Sequence, residues 1–342
     1  MVGYWIYKYH VEDRDIAIVE HLSLSTIKAK NMIPLPTVCF KDPFIEHKLK
    51  ETNLLLNTTQ NLVDGKNYLE YLEGNHYDSI YEKIEYNNVT LDMNKYYLYT
   101  TQKLINETSS TNISTPINHI NSFNGFYAGQ FIKCYTLEFP LRGNWLLKRL
   151  QFRYDTQKLR DDWYPIGSQM KFYIKVHLKD QFLVGGFPDY GILSISSTNK
   201  DVYIKGYDVL NKRNSRNRRC SEFSESYCTM IIHEHLARKS CRPPYIKSNM
   251  SIELCNNKEK MKESRFNYEA PDEMKIDNPC QRISRTILDL KSTKRRGYQN
   301  KWTLSIYYPK EFKIIEQSKE VDIHSLIGNI GGYLGLFMGN YL

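Results

Sequence analysis

Apolar and polar positions alternate with a period of two along several stretches of this chain. Met170, Phe172, Ile174 and Val176 stand on one side of a strand over Met170–Leu178, with Lys171, Lys175 and His177 on the other. Trp302–Tyr308 alternates in the same way, Pro309 breaks it, and the pattern resumes over Phe312–Gln317. Shorter strands are expected at Asp15–Val19, Thr37–Phe40 and Phe131–Glu138. Asn31–Pro36 reads as extended chain, because the residue before each proline avoids the helical region. A helical period appears over Glu225–Lys239, where Cys228, Ile231, Ile232, His235 and Leu236 share one face. Ser224 or Ser226 supplies a cap, and Pro243-Pro244 follows its end. The pattern is weakest over residues 41–130. There Phe44–Leu56 and Leu69–Ile84 read as helical, separated by loops rich in Asn, Ser and Thr.

The C-terminal stretch follows a different rule. From Leu326 to Leu342 no residue is charged, in a chain that is otherwise 25% charged. Gly328, Gly332, Gly335 and Gly339 recur at i, i+4, i+7 and i+11, so a helix would carry them as one bare stripe, with Gly331 beside it. Each glycine costs about 1 kcal/mol relative to alanine inside a helix. In lipid such a stripe allows helices to approach closely or turns backbone toward a pore. A glycine-rich loop is the plainer alternative, and a phosphate loop lacks its Gly-Lys-Ser/Thr. The stretch therefore reads as the start of a membrane helix. At the other end Tyr4, Trp5, Tyr7, Lys8 and Tyr9 have the composition of a membrane-interface belt. Neither end holds the roughly 20 apolar residues of a full span, so both read as cut at a membrane boundary.

Composition narrows the class. The 342 residues are 41% hydrophobic and 13% aromatic, which supports a packed core and argues against general disorder. A net charge of +9 raises the question of nucleic acid. Its clusters, Lys212–Arg219 and Lys294–Arg296, lack interleaved aromatics and read as solvated loops, so no nucleic-acid partner is expected. Of seven cysteines, five fall within residues 220–280, the density of a stapled extracellular module. Zinc is the competing reading, but there is no CxxC pair and His233-Glu-His235 lacks metallopeptidase spacing. No metal, cofactor or catalytic residue is expected, and Asp161-Asp162 reads as an acidic pair in a loop. Glycosylation sequons at Asn57, Asn88, Asn106, Asn112 and Asn249 point weakly to a secreted face.

Leu326-Ile-Gly-Asn-Ile-Gly-Gly-Tyr-Leu-Gly-Leu-Phe-Met-Gly339 resembles the segment leading into the second transmembrane helix of the degenerin/epithelial (amiloride-sensitive) sodium channel family, which includes acid-sensing and pickpocket channels. Pro34-Leu-Pro-Thr-Val-Cys39 is similar to the segment after that family's first membrane helix, and Cys134-Tyr-Thr-Leu-Glu138 to its Cys-Tyr-Thr-Phe-Asn strand. The Val176-His177 end of the alternating strand, followed by Asp180-Gln181, matches a further family strand and turn. His177 is the histidine to nominate as a proton sensor, although on the polar side of a strand it reads as a surface residue.

The resemblance implies an α+β ectodomain with a central β palm, a β-ball, a helical finger and a cysteine-rich helical thumb. Residues 1–10 would end the first transmembrane segment and 11–321 would be extracellular. Within the latter, 41–130 would be the finger, 131–206 palm and β-ball, 207–290 thumb and 297–321 palm strands. Residues 322–342 would be the wrist and the start of the second helix. It also implies the disulfides Cys39–Cys134, Cys220–Cys280 and Cys241–Cys255, leaving Cys228 unpaired, because Ser240 stands where the family's thumb has another cysteine. Asn217 and a run of arginines replace a tryptophan that couples the thumb to the wrist in acid-sensing members, which speaks against proton gating by that route.

By the same resemblance the chain is a subunit of a homo- or heterotrimeric sodium channel of the plasma membrane. Gly328-Asn329 would lie near the pore constriction, with Gly332 and Gly335 along the pore and Gly339-Asn340-Tyr341 at the selectivity filter. Asn329 replaces a common aspartate, and Tyr341 a small serine whose site does not suit a bulky ring. The chain as it stands is expected not to conduct. The alternative is a non-conducting soluble or membrane-associated ectodomain, acting as a binding module or a dominant-negative partner.

Overall fold

The alternating stretches build two sheets that face each other across one core. The structure is a computed structural model, which describes residues 2–9, 15–24, 30–41, 43–45, 47–48, 89–105, 109–127, 130–140, 145–162, 171–184, 193–194, 198–215, 219–222, 226–243, 245–246, 248, 250–255, 260, 263–264, 277–294 and 301–339. The strands are β1 (Asp15–Ser23), β2 (Leu35–Lys41), β3 (Tyr97–Ile105), β4 (Ser110–Thr115), β5 (Asn118–Tyr127), β6 (Gln130–Glu138) and β7 (Leu146–Asp155). They continue as β8 (Lys171–His177), β9 (Leu193–Ser194), β10 (Thr198–Asn211), β11 (Gln281–Lys294), β12 (Lys301–Tyr307) and β13 (Glu311–Lys319). The helices are α1 (Val2–Tyr7), α2 (Met93–Tyr96), α3 (Thr156–Asp162), α4 (Tyr227–Ala237) and α5 (Ile323–Gly339).

Among the described residues one sheet has eight strands, in the order β1-β13-β10-β12-β7-β3-β4 with β11 also on β10. The other has five, in the order β5-β6-β2-β8-β9. Strands dominate and helices are few, so the fold is α+β.

Period-two patterning explains the sandwich. On β7 the side chains Leu150, Phe152 and Tyr154 are buried, while Arg149, Gln151 and Arg153 point to the other side and are half-buried. Their β12 partners in register, Ile306, Leu304 and Trp302, are buried too. Trp302 meets Phe172 of the opposite sheet edge to face, with ring centroids 5.2 Å apart. Such aromatic pairs add about 0.5–1.5 kcal/mol beyond the area that they bury.

The five-stranded sheet is buried on both faces. Its far side carries Phe123, Ile132 and Tyr173, which cluster with Tyr227, Cys228, Ile231 and Leu236 of α4. This places α4 where its apolar face was expected to dock. Ser226 precedes α4 but makes no side-chain capping hydrogen bond.

Four sequence expectations are corrected. His177 is not a surface residue but 4% exposed, because both faces of β8 are covered. Within the stretch 41–130, read as helices and polar loops, Tyr97–Ile105, Ser110–Thr115 and Asn118–Tyr127 form β3, β4 and β5, whose backbones pair with neighbouring strands whatever the side chains. Lys30–Met32 is a single 3-10 turn, and only from Pro34 onward is that segment extended. Asp161 and Asp162 end helix α3, where the Asp162 carboxylate accepts hydrogen bonds of 2.8 Å from both Tyr96 and Lys95. β10 runs to Asn211 and β11 starts at Gln281, so strand enters both ends of the 207–290 stretch. Of the two helical readings, most of Phe44–Leu56 and all of Leu69–Ile84 lie outside the described residues.

Candidate functional site

Strand pairing brings the two ends of the chain together. β1 and β13 run antiparallel with Asp15 opposite Lys319 and Ser23 opposite Glu311. The residues before β1 and after β13 must therefore leave from the same edge of the large sheet. α1 packs alongside α5 there. A collar of aromatics and lysines surrounds this base. Lys8 reaches Glu320 at 3.5 Å and lies 5.4 Å from the Tyr4 ring centroid, while Lys319 sits over Tyr9.

α5 starts at Asp322, whose carboxylate accepts the Ser325 N–H at 2.6 Å and whose carbonyl accepts that of Leu326. This satisfies donors that a helix start otherwise leaves open. The hydrogen bond from Ser325 holds the Asp322 carboxyl below the usual carboxylate range.

Beyond the cap the helix presents two unlike sides. Leu326, Asn329, Ile330 and Tyr333 are half-buried, at helical spacing on one side. Gly328, Gly332 and Gly335 fall within about 60° of one another on the roughly opposite side. A Cβ at Gly328, Gly331, Gly332 or Gly335 would meet nothing within 4 Å. Nothing in the described chain requires glycine there. Asn329 is half-buried and its neighbour Gly328 is exposed.

The apolar surface concentrates at the same end. Tyr4, Ile6 and Tyr7 on α1, Ile16, Ile18 and Val19 on β1, and Ile323, Ile327, Leu334, Leu336, Phe337 and Met338 on α5 are all exposed, Met338 by 68%. An uncovered apolar patch of this kind marks a surface that meets another protein or a membrane. α5 has 17 residues, about 25 Å of helix. Among the described residues no helix is long and apolar enough to cross a membrane. Gly339 is the last residue of α5, and Asn340 and Tyr341 lie outside the described residues.

The cysteines pair as Cys39–Cys134, Cys220–Cys280 and Cys241–Cys255. The first joins directly opposed positions of β2 and β6. The second closes the stem from which α4 departs, where the Ser221 and Cys280 backbones also pair. The third clips the turn after α4, beside the Arg242–Leu254 bridge. Cys228 is free and buried on α4, its thiol donating to the Ser122 carbonyl at 3.1 Å, and burial pushes its pKa up to about 12. It is thus an inert thiol rather than a reactive one.

His177 is tied from both ring nitrogens. The Leu178 carbonyl, 2.6 Å from Nδ1, only accepts, so Nδ1 carries the proton and Nε2 accepts the Thr37 hydroxyl at 2.6 Å. Thr136 continues the chain to Thr37. Burial lowers the His177 pKa to about 3. The ring is a neutral structural link between β2, β6 and β8.

Among the described residues no three His, Cys, Asp or Glu side chains gather as a metal site. Of the sequons, Asn112 is exposed on β4, and Asn57, Asn88, Asn106 and Asn249 lie outside the described residues. Two features of this end escaped sequence reasoning. The Asp322 cap had a local signal, an Asp three residues before Ser325, whereas the β1–β13 pairing had none. No model of a known protein family matches the chain, and no curated protein matches it either.

Proposed function

We propose that the chain is the ectodomain, with adjoining parts of both membrane helices, of a sodium channel subunit of the degenerin/epithelial (amiloride-sensitive) kind. One observation carries this reading. The β1–β13 pair sends α1 and α5 out side by side, and a Cβ on the glycine face of α5 would meet nothing within 4 Å. A ring of three copies in the plasma membrane would give that face a partner. Glycines there let the α5 backbones approach closely, so that carbonyls rather than side chains line a path for partly dehydrated sodium ions.

In this reading the eight-stranded sheet is the palm and the five-stranded sheet the β-ball. α4 with the Cys220–Cys280 and Cys241–Cys255 bridges is the thumb, and the finger falls within residues 41–130. The aromatic and lysine collar at Tyr4, Trp5, Lys8, Tyr9 and Lys319 sits at the lipid headgroups. The gate is on α5, and the rigid pairing of β1 with β13 is the link through which a change in the ectodomain would move both helices together.

The test is electrical recording from cells that express the reading frame containing this chain, alone and with other subunits of the same family. The expected result is a sodium current blocked by amiloride. Surface expression without any such current, and without an effect on co-expressed subunits, would overturn the reading. Suppression of their current with none of its own would instead establish the dominant-negative alternative.

A further inference from the structure

The outer face of the eight-stranded sheet carries a row of cations and tyrosines that the channel reading does not use. Register sets Lys103 opposite Arg149, Arg149 opposite Tyr307, and Tyr307 opposite Tyr203, so four adjacent strands contribute one straight row. Strand spacing makes this row about 14 Å long. The Tyr203 and Tyr307 rings stack 4.4 Å apart, and the Arg149 guanidinium lies 6.0 Å from the Tyr307 centroid. Four residues along β7, Arg153 lies 4.8 Å from the ring of Tyr99. Lys205 and Lys291 flank Tyr203, but Asp289 engages both, at 3.6 and 3.8 Å. The unbalanced charge therefore sits on Lys103, Arg149 and Arg153, which have no acidic partner among the described residues. Arg149 Nε is also buried without a hydrogen-bond partner.

We propose that this face binds a sulfated polysaccharide, with Lys103, Arg149 and Arg153 holding sulfates and with Tyr307 and Tyr99 backing the two guanidinium groups. A guanidinium laid on an aromatic ring can still turn N–H donors outward for bidentate contact with oxyanions, and one Arg153 N–H also donates to Gln151 at 3.4 Å. The row is polar, which suits a polyanion better than an apolar helix. Lipid headgroups are a poor fit on distance. Tyr203 lies five positions before Asp208, which pairs with Lys313, six positions before Lys319, so the row is roughly 36 Å along the strands from the edge where α1 and α5 leave. A bilayer engaged by those helices would be out of reach.

The experiment is calorimetric titration of the full, disulfide-bonded chain with a heparin dodecasaccharide at about 150 mM salt. Saturable binding is expected, weakened about tenfold or more by the paired changes Arg149→Gln and Arg153→Gln. The pair Lys212→Gln and Arg213→Gln, in the basic stretch after β10, should change affinity less than twofold. No binding by the unaltered chain, or equal losses from both pairs, overturns the proposal. So does tighter binding of a single-stranded oligonucleotide of equal charge. If the first pair does not fold, lysine acetylation of the unaltered chain decides the question. Heparin should protect Lys103 and leave Lys212 reactive, and the reverse pattern overturns the proposal.

Discussion

Two histidines are held neutral inside the protein, and this ties its stability to pH. Burial lowers His177 to about 3 and His119, near the Tyr154 hydroxyl, to about 4. An exposed histidine titrates near 6.5, so below that pH the unfolded chain binds protons that the folded one refuses. The stability that these residues supply is complete above about pH 6.5 and is lost as the pH falls toward 4. Each contributes a slope of up to about 1.4 kcal/mol per pH unit. Urea unfolding should show a lower midpoint at pH 5 than at pH 7. His177→Gln should start less stable at pH 7 yet lose less on acidification. A midpoint unchanged between the two pH values would contradict the buried, neutral assignment. His177 shows where single-residue legibility ends. Alternation along β8 marked Phe172, Ile174 and Val176 as core, but its second face holds Lys175 and His177, buried yet polar, and so lacks the continuous apolar run that marks a doubly covered strand. Cys228 was legible as the odd cysteine, and its inertness follows only from its burial against β5.

At the level of elements, α5 depends on one cap and carries one unexplained face. Asp322→Ala removes the acceptor of the Ser325 N–H. The amides of Ser325 and Leu326 should then exchange hydrogen several-fold faster, with the sheets unaffected, and unchanged exchange would contradict the capping role. Gly332→Ala with Gly335→Ala separates local from intermolecular roles. Open space beyond both positions means that alanine strains nothing. Propensity alone predicts about 1 kcal/mol of helix stabilisation per site. Helicity by circular dichroism should therefore rise. If the glycine face packs against other copies, cross-linking in detergent should at the same time show fewer trimers. A rise in both helicity and association would contradict packing through that face. The glycine stripe was readable because helical spacing is a local property. β4 was not, because Ser110-Thr-Asn-Ile-Ser-Thr115 has little apolar alternation and becomes a strand by pairing with β3.

The whole molecule is a two-sheet sandwich with its two ends gathered at one edge, and of its three bridges one lies within the five-stranded sheet and two around α4. The bridges and Cys228 predict a specific thiol count. The native chain should not react with a thiol reagent, and in denaturant without reductant one thiol per chain should appear. A count of three would mean that a bridge is absent. Removing Cys220–Cys280 with paired serines should cost about 2–4 kcal/mol of stability, read by urea unfolding. The pairings came to the sequence reading by resemblance, and the structure contains the same three. The gathering of the ends was not legible, because β1 and β13 lie at opposite ends of the sequence and nothing in either names its partner. That gathering is what gives the terminal helices a common direction. The most direct measurement is sodium current from cells expressing the reading frame that contains this chain, with single cysteines placed along α5 and a charged, membrane-impermeant thiol reagent applied. The expected result is an amiloride-blocked current that falls when the cysteine is at Gly328, Gly332 or Gly335 and persists when it is at Leu326, Ile330 or Tyr333. Absence of current from subunits at the cell surface, or equal sensitivity on both sides of the helix, would contradict the account.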